Sequence, residues 1–218
     1  MRQSNQRYER PSSDFDRVGY FSDAVFAIAL TLLVVGIGVP KVVNTADLGD
    51  ELRNLGPEVL SFFISFTVIG FYWKGQHASF AELKAVNGGY ITLNLVYLAL
   101  IAFLPFPTAL VGSYEEEPIT VVIYAITLGA ASAMELVMFL WCSRFDLFRE
   151  PLPPEGVRFG AIAQLIPVFV IVGSIPLALV SSTLTLLSWI SIGPLEALWE
   201  RFDPHPKRGK PETPTMPA

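Results

Sequence analysis

A small set of polar side chains stands in otherwise apolar surroundings, and these carry whatever chemistry the chain has. Arg17 and Asp23 flank the start of the first apolar run, Trp73 and His77 close the second, and Asn94 lies inside the third. Ionisable groups in an apolar medium are costly unless paired. These residues are therefore expected to form a polar network between helices. Two roles are open for it: a static anchor, which needs no moving part, or a link to an opening motion. Glu135 is the single charge in a fourth run and is expected to face the protein interior or water. A proton relay and a hydrogen-bonded structural carboxylate both fit it. Gln164 and Pro167 could join or kink helices in the same way. Enzymatic chemistry is not expected, because no Ser-His pair, paired acids or metal-ligand constellation is visible. One cysteine, Cys142, and two histidines make neither a disulfide nor a zinc site.

The elements that position these residues follow from composition. Of 218 residues, 52% are hydrophobic and 16% charged, with a mean hydropathy of +0.48. Soluble domains carry about 25% charged residues. A net charge of -5 also argues against nucleic acid as a partner. The pattern is that of a polytopic membrane protein with lipid as its solvent.

A span needs about 20 mostly apolar residues. Candidates are Phe21 to Val39, Pro57 to Trp73, Gly89 to Gly112 and Ile119 to Cys142. The block from Phe159 to Trp199 is long enough for two and should turn between Gly173 and Ser182, giving six helices. Ser13 followed by Asp16 fits a capping box, which starts the first helix near Asp14. The expected fold is all-α, with both termini cytoplasmic. That orientation leaves only Lys41 and Arg53 outside among the fifteen Lys and Arg residues, whereas five spans would move four more out. Asp47, Asp50, Glu51, Glu58 and Glu115 to Glu117 make the outer loops acidic. Such a face either concentrates cations or is simply solvated. The expected organisation is a cytoplasmic segment over residues 1–13, one membrane domain over 14–202, and a disordered proline-rich tail over 203–218. No cleavable signal peptide is visible, since the first twenty residues are polar and charged.

The run Arg17-Val-Gly-Tyr-Phe21-Ser22-Asp23 resembles the signature R-x-x-x-F-S-D of the transmembrane protein 175 family of potassium channels. The likeness continues through Trp73 and His77, Leu93-Asn94-Leu95, and Leu104-Pro-Phe-Pro-Thr-Ala-Leu110, and covers roughly residues 12 to 202. The resemblance implies the prokaryotic single-repeat type: a homotetramer in the cell membrane whose first helices line a pore for K+. It implies a passive, leak-like channel that needs no cofactor, and no metal beyond ions in transit. It places an apolar constriction at Ile28, Leu32 and Val35 and a selectivity residue at Thr31. At 100° per residue, Leu32 lies about 40° to one side of Ile28, and Val35 about 20° and Thr31 about 60° to the other. A secondary cation or proton-coupled transporter is the alternative. It would require matching Gly/Pro-broken helices in two halves, and none is found.

Overall fold

The computed structural model describes residues 7–40, 47–114 and 117–202. The expected tail, the first six residues, Lys41, Glu115 and Glu116 lie outside them.

Each long apolar run forms a helix because no other open structure satisfies its backbone in lipid. Helix α1 covers Ser13–Leu32 and tightens into a 3₁₀ turn over Leu33–Gly36. Short α2 (Leu48–Asn54) leads into α3 (Gly56–Ala81). The third span is interrupted at Leu104 into α4 (Gly88–Phe103) and α5 (Pro105–Ser113). Pro105 and Pro107 supply no backbone N–H there, which removes two ladder bonds. Helix α6 (Pro118–Arg144) is followed by α7 (Pro154–Gly173), continuous across Pro167, and by short α8 (Ile175–Ala178). The chain then reverses, within the expected window, into α9 (Ser182–Ser188), a 3₁₀ turn and α10 (Ile192–Glu200). Trp199 comes back to the start of α7. Its indole stacks on Phe159 at 4.9 Å and donates to the Phe159 carbonyl.

Five of these helical segments are long and apolar enough to cross a membrane: Ser13–Gly36, Gly56–Ala81, Gly88–Ser113, Pro118–Arg144 and Pro154–Ala178. The returning segment, Leu184–Trp199, is shorter than the others.

Three expectations need correction. Ser12, not Ser13, caps α1, its Oγ accepting from the Phe15 amide. The helix also stops at Gly36 rather than Val39, since Gly36, Gly38 and Pro40 all weaken helix. The chain is not purely helical, and residues 7–9 of the N-terminal segment are built into the fold. Strand β1 (Arg7–Glu9) pairs antiparallel with β2 (Ala85–Asn87), with Tyr8 opposite Val86. This small platform closes one end of the bundle and holds the α6–α7 loop. Arg7 donates to the Phe145 and Asp146 carbonyls, and Lys84 Nζ meets Asp146 Oδ2 at 2.8 Å. Asp146 sits at φ 51, a conformation that Asp and Asn tolerate.

The Lys84 hydrogen bond, aided by the Lys84 and Arg7 charges, holds the Asp146 carboxyl below its ordinary value. A depressed carboxyl stabilises the fold above its unfolded value, about 3.9. That contribution is lost as pH falls through the folded value. Asp146→Asn keeps the backbone preference but removes the charge. Its small loss in melting temperature against wild type should therefore fade on acidification from pH 5 to pH 3, as thermal melts would show.

Helix α6 is the hub, packed along α4, α5 and α7. Small residues let it approach its neighbours, as membrane interfaces require. A Cβ at Gly129 would lie 2.9 Å from the Val172 Cγ2 methyl. Gly129→Ala should cost about 1 kcal/mol, the low end for overpacking, because Val172 can turn aside. A lower melting temperature with unchanged helix content is the expected readout.

Candidate functional site

The two faces of α1 differ sharply. Phe15, Ser22, Phe26, Ala29 and Leu33 are buried against α3, α4 and α5. On the other face Ile28 is 58% exposed, Leu32 44% and Val35 74%, and Thr31 is also exposed. The chain thus holds one side of an apolar helix and leaves the other uncovered within the subunit. The 3₁₀ turn alters the stripe that even helical spacing implies. Residues three apart in such a turn eclipse one another, which sets Val35 directly over Leu32. Thr31 Oγ1 donates to the Ile28 carbonyl at 2.8 Å. Its proton is thereby committed, and its lone pairs remain on the exposed side.

Two consecutive residues fasten α1 on two sides. The Ser22 side chain is fully buried, donates to the Val18 carbonyl, and accepts from Asn94 Nδ2 of α4 at 2.9 Å. Asp23, about 100° round the helix, accepts from Trp73 Nε1 of α3 at 2.8 Å. Trp73 in turn lies against His77, ring centroids 5.5 Å apart. The expected network is therefore two separate ties, Ser22 with Asn94 and Asp23 with Trp73 and His77. Arg17 and Phe21 belong to neither. Both are exposed and line an open cavity of about 640 Å³ between α1 and α4, with Asn94 at its floor.

A third set of polar contacts was not foreseen. Along α3, Ser61 donates to the Thr108 carbonyl, Ser65 meets Tyr124 Oη and Thr108 Oγ1, and Tyr72 meets Ser132. One layer further, Tyr97 of α4 donates to Glu135 of α6 at 2.9 Å. Glu135 is thus hydrogen-bonded between helices. The signal in the sequence was Ser61, Ser65, Tyr72 and Gln76, close to helical spacing on one face. Interhelical bonds in membranes average about 0.6 kcal/mol, so the ladder adds up through number. Among the described residues no group of three or more His, Cys, Asp or Glu could hold a metal.

A family described as the endosomal/lysosomal potassium channel TMEM175 matches residues 17–105, which hold most of α1, all of α3 and α4, and the Ser22–Asn94 and Asp23–Trp73 ties. The crystal structure of a TMEM175 homologue from Chamaesiphon minutus, described as a lysosomal potassium-selective channel, superposes with a TM-score of 0.73. It is 26% identical and covers 86% of this chain and 98% of its own. The chain thus resembles the TMEM175 family in sequence and in fold. A potassium channel of the same cyanobacterium is 38% identical over 127 residues, 57% of this chain and 63% of the relative. One from Streptomyces collinus is 40% identical over 101 residues, 46% and 49%. The matches to these curated relatives thus span about half to two thirds of their length. With TMEM175 relatives and five long apolar helices, this is a multi-pass membrane protein.

Proposed function

We propose that this protein is a TMEM175-type, potassium-selective, leak-like channel in which α1 of four identical subunits surrounds the pore. The observation that carries this reading is the uncovered face of α1. Ile28, Thr31, Leu32 and Val35 lie on it, while the opposite face is tied down by Ser22, Asp23, Phe26 and Leu33. A helix fixed so firmly on one side presents its other side to something constant, and an axis shared by four copies fits.

In this reading the residues divide the work. Rings of Ile28, Leu32 and Val35 close the pore to ions by dewetting, since apolar walls cannot replace a cation's water. The Thr31 ring, its hydroxyl protons turned to backbone, offers four oxygens to a passing potassium ion. The ties at Ser22, Asn94, Asp23, Trp73 and His77 hold the helix in register. Six spans with both termini cytoplasmic complete the subunit, residues 14–202 forming the membrane domain and 203–218 a tail. The plasma membrane of a prokaryote is the expected location.

The test is reconstitution. Potassium-loaded liposomes should lose potassium down its gradient, and planar bilayers should show unitary current steps with a reversal potential favouring potassium. Mass measurement in nanodiscs should give a tetramer. Transport that needs a coupled ion and shows no unitary steps would establish a transporter instead.

A further inference from the structure

Away from the exposed stripe, on the buried side of α1, lies a small cavity lined by Leu33, Gly36, Ile37, Glu58, Thr108 and Gly112 among others. We propose that Glu58 and the carbonyl end of α1 form a site there for one monovalent cation, behind the wall of the pore rather than in it.

Glu58 Oε2 is buried in this space and has no hydrogen-bond donor from the protein. Nearby donors are committed elsewhere. Ser61 Oγ donates to the Thr108 carbonyl at 2.9 Å, and Thr108 Oγ1 is engaged by Ser65 and by the Leu104 carbonyl. Among the described residues the salt bridges are Arg53–Asp50 and Lys84–Asp146, so none of the described cationic side chains pairs with Glu58. The opposite wall is the 3₁₀ end of α1, where the Ile37 amide caps the Val34 carbonyl and leaves the other terminal carbonyls outside the helical ladder. A helix end of this kind carries carbonyls without intrahelical partners and about half a negative charge. The cavity therefore brings a carboxylate oxygen against the negative end of a helix, with apolar groups around both.

Size and charge select the occupant. The cavity is about 10 Å³, close to the space one water-sized sphere needs. Small residues keep it open and leave no slack. A Cβ on Gly112 would stand 3.0 Å from Glu58 Cα, and one on Gly36 would stand 3.2 Å from Ala109 Cβ. A potassium ion and a water molecule are similar in size. Water would satisfy the oxygen but bring no charge to it, leaving only the N-terminal dipole of α3 to balance the carboxylate. A cation neutralises the carboxylate and the helix end together. One carboxylate without further acidic, His or Cys ligands suits a monovalent ion rather than a transition metal. Its role is to brace the outer end of α1, where helical hydrogen bonding gives out.

The test does not depend on conduction, so a failed flux assay leaves it intact. Protein in nanodiscs is melted in potassium chloride and in N-methyl-D-glucamine chloride at equal ionic strength. Wild type should gain about 3–6 °C for each tenfold rise in potassium above its dissociation constant. Glu58→Gln, nearly the same in shape, should lose most of that gain. Crystals in rubidium should give an anomalous peak in contact with Glu58 Oε2, off the symmetry axis, which decides the matter even if the variant fails to fold. A gain that survives in Glu58→Gln overturns the proposal, as does a cavity holding only ordered water.

Discussion

Ile28→Ala should raise unitary potassium conductance several-fold, and Ile28→Phe should lower it. Ile28 is more than half exposed in the subunit, so trimming it opens no cavity in the core. In a ring of four, the same change widens an apolar neck and lets water stay in it. The barrier there is the free energy of stripping or crowding the ion's hydration shell, and it falls steeply as a hydrophobic constriction wets. Thr31→Val separates this barrier from selectivity. Valine keeps the branched shape but removes the oxygen whose proton is bound to the Ile28 carbonyl. The expected result is a reversal potential shifted toward sodium with assembly unchanged. If Ile28→Ala leaves the current unchanged, the neck lies at Leu32 or Val35 instead. If Thr31→Val keeps the potassium preference, the apolar rings must select.

What the sequence made legible was what depends on local pattern. Apolar runs of sufficient length fixed five long helices, because backbone satisfaction in lipid leaves few alternatives. The stripe of α1 was implied by the family resemblance, with residue spacing setting its members on one face, and the Asp23 and Asn94 ties followed from the cost of burying polar groups. What stayed hidden depends on neighbours far along the chain. Ser22 meets Asn94 across 72 residues, and nothing local shows that Arg17 stands apart from that pairing. The β1–β2 ribbon has three residues per strand, too few for an alternating pattern to register. Two adjacent serines at the start of α1 are equally good caps, so residue type alone does not separate Ser12 from Ser13. The return segment loses regularity at Trp189–Ser191, where its indole binds the Ser174 hydroxyl 15 residues back. Glu58 read as one acid of an outer face that either concentrates cations or is simply solvated. The burial of its Oε2 arises only when α1, α3 and α5 come together.

Ser22→Ala should destabilise the subunit more than Asn94→Leu, and the double change should be milder than Ser22→Ala alone. The reason is an asymmetry in what each change leaves behind. Asn94 is 2% exposed, and its Oδ1 already lacks a donor from the protein. Removing Ser22 Oγ takes the acceptor from Nδ2 as well, leaving a whole amide buried without partners. A buried unsatisfied polar group costs about 1–3 kcal/mol. Asn94→Leu removes that amide at similar volume, and Ser22 keeps its bond to the Val18 carbonyl. The double variant loses the tie but buries no orphan, so the two effects should couple rather than add. Arg17→Ala is the internal contrast. Arg17 is exposed and makes no hydrogen bond or ion pair among the described residues, so its loss should leave subunit melting nearly unchanged. Melting in detergent read beside currents in bilayers distinguishes an anchor from a gate. If Ser22→Ala melts like wild type and alters only open probability, the tie belongs to opening rather than to the fold.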